Sequence, residues 1–238
     1  MPKPKKPALE AKPALLFDLD GTLVDSLDDL VAAINATMLQ CNLRPLSRED
    51  VARIIGKGSR VLVEKALLLR DPSTIDPIKI ESVHRLYLQQ LDDINGRHTH
   101  CFEGVTESLA HLKADGFSIA LVTNKPRRHT LTLLRQLHLD HFFDVVVAGG
   151  DASTLKPAPE MLLLAARALV RNPSDCIMIG DSMNDALAAQ NAQMTSILLK
   201  TGYNEGVNID KWAQKYAPDS LVFANIRELV SYLDTQWS

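Results

Sequence analysis

Residues 14–26 read ALLFDLDGTLVDS, and the rest of the chain is read outward from them. Leu15, Leu16 and Phe17 form a short apolar run, the mark of a buried strand. Asp18 and Asp20 follow, Gly21 breaks the run, and Thr22 comes next. Strand side chains alternate, so positions two apart share a face. If the strand relaxes just after Asp18, both carboxylates converge beyond its C-terminal end, where open α/β sheets bind ligands. Two acids side by side in a crevice are costly unless a metal, a proton or a cation compensates. Taken alone, D-x-D-G also fits a solvated turn.

After this strand the pattern turns helical. Ser26 is a candidate N-cap, with Asp28 and Asp29 suited to a helix start. Ser47 with Asp50 opens a second helix that stops near Gly56. A third starts near Ser59, after Gly56-Lys57-Gly58, and Asp76-Pro77 opens a fourth that ends at Asn95-Gly96. From residue 103 strands alternate with helices. Apolar runs at 118–124, 144–150, 176–180, 195–200 and 221–224 are separated by helical stretches near 105–113, 127–137, 160–170, from 186, and 227–233. Such alternation implies a parallel sheet with helices on both faces. The expected architecture is a Rossmann-like α/β core, residues 13–26 and 103–238, with a small α-helical cap inserted at 27–102. The cap leaves the core just after the two carboxylates, so it is placed to cover them. Residues 1–12, rich in Pro and Lys, read as a disordered basic tail.

Composition narrows the function classes. The chain has 238 residues, 46% hydrophobic and 23% charged, with a formal net charge of −3. That balance carries no basic field for nucleic acid. No apolar run reaches the roughly 20 residues that span a bilayer. Cys41, Cys101 and Cys176 are odd in number and far apart, which fits reduced thiols in a cytoplasmic protein. A monomer or a homodimer is expected. The histidines at 98, 100, 111, 129, 138 and 141 show no metal-ligand spacing and read as surface or interface residues.

Three further strand ends carry polar groups. The 118–122 strand runs into Thr123-Asn124, Lys156 lies in the loop DASTLKPAPE, and the 176–179 strand ends in GDSMND at 180–185. Each is weak alone; four such sets at the C-terminal ends of one sheet make a shared site. Asp18, Asp20 and Asp181 supply hard oxygen ligands for Mg²⁺, which favours a few carboxylates plus a substrate phosphate. Lys156, Thr123 and backbone N–H groups supply donors for phosphate oxygens. That leaves Asp18 as nucleophile and Asp20 as acid, then base.

The stretches FDLDGTLVDS, LVTNK, LKPAPEML and GDSMND resemble, in order, the four motifs of the haloacid-dehalogenase-like phosphatases, across about Ala14 to Asn208. The resemblance implies that Asp18 forms an aspartyl phosphate and that Asp20 protonates the leaving alcohol and then activates water. It implies that Thr123 and Asn124 hold the phosphate and that Lys156 steadies nucleophile and phosphate. Asp181 would bind Mg²⁺ with Asp18 and the Asp20 carbonyl, and Asp185 would orient the site through water or Lys156. Within the family, IIGKGSRVLVEKAL (54–67) and KTGYNEG (200–206) are similar to the phosphoglycolate phosphatase group. That likeness implies a small anionic ester, 2-phosphoglycolate. Gly56 lets backbone approach closely, and Lys57, the N–H groups at Ser59 or Arg60 would meet its carboxylate. Alternatives are a phosphatase or mutase for another small ester (a sugar phosphate, a nucleotide, pyrophosphate), or a non-catalytic phospho-aspartate signalling module.

Overall fold

A computed structural model describes residues 12–72 and 76–237. The expected tail at 1–12 lies outside them except for Lys12. The chain opens with β1 (Ala14–Phe17) and β2 (Val24–Asp25), then α1 (Leu27–Gln40), α2 (Arg48–Ala52), α3 (Ser59–Arg70) and α4 (Pro77–Ile94). It continues with β3 (His100–Cys101), α5 (Val105–Ala114), β4 (Ile119–Pro126), α6 (Arg127–Gln136) and β5 (Val145–Gly149). α7 (Glu160–Ala168), β6 (Cys176–Gly180), α8 (Met183–Asn191), β7 (Thr195–Leu199), α9 (Ile209–Tyr216), β8 (Leu221–Phe223) and α10 (Ile226–Trp237) complete it.

Six strands form one parallel sheet in the order β5-β4-β1-β6-β7-β8. β1 lies between β4 and β6, where the strand order reverses, and such a switch point opens a crevice at the C-terminal strand ends. Strand alternation divides the core. Leu15, Phe17, Ile119, Leu121, Ile177 and Ile179 pack on one face with residues of α5, α6 and α10. Leu16, Ala120, Val122 and Met178 pack on the other with α7 and α8. The inserted helices have a separate apolar cluster, in which Ile34, Met38, Val63, Leu67, Tyr87 and Leu91 interlock. Cys41, Cys101 and Cys176 are unpaired. Among the described residues no helix is long and apolar enough to cross a membrane.

The junctions hold what the sequence pattern hid. β2 and β3 form a two-residue antiparallel ribbon where the chain leaves and re-enters the core; two residues are too few to show alternation. Ser26 does not cap α1 through its side chain. The Leu27 N–H instead donates to Asp25 Oδ1 at 3.2 Å. Asp29, expected simply to favour a helix start, is buried and clasps the returning chain. It accepts from the N–H groups of Gly96, His98 and Thr99, and from the Thr99 hydroxyl at 2.5 Å. Ser47 and Asp76 do cap α2 and α4, accepting from Asp50 N–H and from the N–H groups of Ile78 and Lys79. α8 starts three residues before Ala186, because Ser182 and Asp185 form a reciprocal capping box.

Candidate active site

The C-terminal ends of β1, β4 and β6, with the loop after β5, gather the polar residues. Lys156 is buried at their centre. Its ammonium donates to the Val122 carbonyl at 2.8 Å and to Asp185 Oδ1 at 2.7 Å, and lies 2.9 Å from Asp18 Oδ1. Asp185 also accepts from the Ser182 N–H and hydroxyl, so the α8 cap and the lysine share one carboxylate. Asp181 accepts from the Thr22 hydroxyl at 2.9 Å and from the Tyr203 N–H at 3.1 Å. Backbone without side chains is needed around it. Gly21 has φ +90°, and a Cβ there, or at Gly202, would strike the Asp181 carboxylate.

Carboxylate oxygens of Asp18, Asp181 and Asp185 lie within 4.8 Å of one another. Burial pushes the Asp18 carboxyl up to about 6, with Asp185 adding to the rise and Lys156 opposing it. Asp181 is raised well above the usual carboxylate range, first by burial, then by Asp185 and Asp18. Burial lowers the Lys156 ammonium, but Asp18 and Asp185 outweigh it and hold the group above its ordinary value. Asp18 and Asp185 thus share one ammonium, while Asp181 is held by a hydroxyl and a backbone N–H. A hard divalent cation with oxygen ligands fits this set, since it would relieve the remaining negative charge.

The residues expected at the site fall into two groups. Thr123 and Asn124 are buried at the end of β4 and, with Asp18 and Asp20, line a cavity of about 60 Å³ beneath the helical insertion. Asn124 also ties three segments together. Its Nδ2 donates to the carbonyls of Gly56 at 3.0 Å and Lys156 at 2.9 Å, and its Oδ1 accepts from the Lys156 N–H at 2.9 Å. Gly56, Gly58 and Ser59 form the insertion's side of the cavity, with Leu30, Ile55, Leu62, Tyr87 and Leu91 as apolar walls. Lys57 and Arg60 do not line it. The Lys57 ammonium pairs with Glu205 at 3.0 Å, and Arg60 stands half-exposed, 3.8 Å from Glu64 and 3.9 Å from Glu81.

Sequence reasoning passed over Lys125. It is buried, and its ammonium donates to both Asp20 oxygens, at 3.0 and 3.2 Å. β4 loses its regular register between Val122 and Pro126, so that Thr123, Asn124 and Lys125 all line the cavity and simple alternation does not single Lys125 out. Thr22 and Tyr203 were also missed. Tyr203 donates its hydroxyl to Asp25 Oδ1 at 2.5 Å while its N–H serves Asp181, so it links the acid cluster to β2. Nothing local in the sequence announces that pairing, because its partners are 178 and 22 residues away.

The family of haloacid dehalogenase-like hydrolases matches residues 15–199, a span that holds Asp18, Thr123, Lys156 and Asp181. The chain belongs to that family. It is 36% identical to the phosphoglycolate phosphatase of Psychrobacter arcticus over 93% of this chain and 96% of that one. It is 35% identical to phosphoglycolate phosphatase 1 of Pseudomonas aeruginosa over 92% of this chain and 79% of that one. A crystal structure described as a predicted phosphoglycolate phosphatase from Haemophilus somnus superposes with a TM-score of 0.85 at 28% identity, covering 94% and 99% of the two chains. The CbbY protein of Rhodobacter sphaeroides, solved with phosphate, shares the fold at a TM-score of 0.78 and 23% identity, over 93% and 99%. The α/β fold with its parallel sheet is that of this family, and the protein is a phosphoric monoester hydrolase similar to phosphoglycolate phosphatases.

Proposed function

We propose that the protein hydrolyses 2-phosphoglycolate to glycolate and phosphate, with Mg²⁺, through a phosphorylated Asp18. The observation that carries this reading is the convergence on one crevice of Asp18, Thr123, Lys156 and Asp181, from three strand ends and a loop. Asp18 attacks phosphorus, and the ester oxygen leaves as an alcohol carrying a proton from Asp20. Asp20 then takes a proton from water, which attacks the aspartyl phosphate and restores Asp18. Thr123 and Lys156 give donors to the phosphate oxygens, and Asn124 fixes the Lys156 loop against the insertion. Asp18, Asp181 and the Asp20 carbonyl would hold Mg²⁺, with Asp185 keeping Lys156 in place. Mg²⁺ bound there neutralises phosphate charge as it builds in the transition state.

A cavity of about 60 Å³ suits an ester whose alcohol has only a few heavy atoms. It is well below the roughly 300 Å³ at which pockets for larger ligands begin. A panel of phosphate esters, ranked by kcat/KM with and without Mg²⁺, tests the reading. 2-Phosphoglycolate is expected to rank first, with release dependent on Mg²⁺. A sugar phosphate or nucleotide turned over faster would replace the substrate, and no phosphate release from any ester would end the reading.

A further inference from the structure

We propose that Lys125 selects substrates bearing an acid group next to the phosphate ester, an inference that rests on the function proposed above. The cavity holds few candidates for that task. Lys156 is enclosed by Asp18, Asp185 and the Val122 carbonyl, Lys57 is held by Glu205, and Arg60 faces Glu64 and Glu81. Among the residues lining the cavity, Lys125 is the sole cation. Its side chain is 3% exposed, and its partner is Asp20. An ammonium has three N–H donors, enough to span Asp20 and a second carboxylate at once.

Substrate chemistry brings the acid group to the same place. The ester oxygen must reach Asp20 to receive its proton. In a glycolate ester the carboxyl carbon is only two bonds from that oxygen, so the carboxylate cannot leave the neighbourhood of Asp20. Lys125 is already bonded there. The remaining walls are the apolar side chains of Leu30, Ile55, Leu62 and Leu91, the uncharged polar groups of Ser59, Tyr87, Thr123 and Asn124, and the backbone at Gly56 and Gly58. The backbone N–H groups that open α3 at Ser59 offer hydrogen bonds to a carboxylate but no full charge, and Lys125 supplies that charge. The lysine therefore positions Asp20 and recognises the acid group with one ammonium.

The test compares 2-phosphoglycolate with ethyl phosphate, which has the same chain length and no acid. Both are assayed on wild type, Lys125→Met and Lys125→Arg, with Lys57→Met and Arg60→Met beside them. Wild type is expected to prefer 2-phosphoglycolate. In Lys125→Met that preference should fall by about tenfold or more, chiefly through KM for the acid-bearing ester, and Lys125→Arg should recover part of it. The ratio is read on a single preparation, so it does not depend on how much of a variant folds. Equal losses on both esters would overturn the proposal and leave Lys125 serving Asp20 alone. A collapse of the ratio in Lys57→Met or Arg60→Met, with Lys125→Met unaffected, would overturn it in favour of the insertion. A wild type with no preference between the two esters would instead strike the substrate named above.

Discussion

The strand-end crevice and the helical insertion above it solve opposite problems. The crevice buries Asp181, Asp185 and Lys156 and holds the partly exposed Asp18 against them, in a medium where unpaired charge is expensive. The insertion presents apolar walls to the cavity and keeps its charges at the rim. Lys57 and Lys65 pair with Glu205, and Asp92 pairs with Arg128 and His129. Charges that act on phosphorus must be fixed before substrate arrives, and only rigid strand ends with capped helices can fix them. Groups that admit and enclose a substrate must be able to part, and the insertion meets the core through a few ion pairs, each with at least one partner in reach of solvent. Chemistry therefore sits in the core, and access in the insertion.

The contrast breaks most visibly at Asp18. Asp18→Asn is expected to lower kcat by about 10⁴-fold or more, as loss of a nucleophile does elsewhere. Phosphate release at the wild-type rate would remove the core's claim to the chemistry.

Lys156→Met comes next, and its effect is on stability as well as rate. It leaves Asp18 and Asp185 without their shared cation, which costs about 3–5 kcal/mol. At roughly 2–4 °C per kcal/mol, the melting temperature should fall by about 10 °C. Calorimetry that found no change would show the cluster to be far better solvated than its burial implies.

Asp181→Asn should act in the reverse direction. The folded protein holds Asp181 above its ordinary pKa through burial, Asp185 and Asp18. Its contribution to stability is therefore complete below the ordinary carboxylate range and is lost as pH rises through the raised value. Without metal, Asp181→Asn is expected to melt about 2–4 °C above wild type near pH 7.5, with the gap closing toward pH 4. Mg²⁺ should raise the wild-type melting temperature and leave the variant's nearly unchanged. A variant less stable than wild type at both pH values would mean that the acid cluster is not under electrostatic load.

The smallest effect belongs to the rim. Burial raises the Glu205 carboxyl, but Lys57 and Lys65 outweigh it and hold it below its usual value. Glu205→Gln is expected to cost less than about 1 kcal/mol and to shift KM only a few-fold, with kcat almost intact. A hundredfold loss in kcat would make Glu205 part of the chemistry and blur the division between the two regions.

The same division explains what could be read from the chain. The core site was legible because each strand end spells its chemistry locally: Asp18 and Asp20 after an apolar run, Thr123-Asn124 after another, Asp181 and Asp185 in GDSMND. The parallel sheet followed from strand–helix alternation, which fixes where strand ends meet. The insertion's helices were legible from their period and caps, as at Ser47 and Asp76. The insertion's contacts with the core were not. Asn124 with Gly56, Asn95 with His129, and Lys57 with Glu205 are set by how helices seat on the sheet, and no local pattern encodes that. Lys125 is the instructive case, since it lies where β4 loses its regular register and its partner Asp20 is 105 residues away.

The central claim is that Asp18 carries the phosphoryl group during turnover. Rapid acid quench of enzyme mixed with 2-phosphoglycolate and Mg²⁺, followed by mass spectrometry of the peptide containing Asp18, tests it directly. The expected result is a phosphorylated Asp18 that appears within the first turnover and disappears when the substrate is exhausted. A peptide that stays unmodified at every quench time, while phosphate is released and Asp20→Asn fails to trap the adduct, would contradict the account.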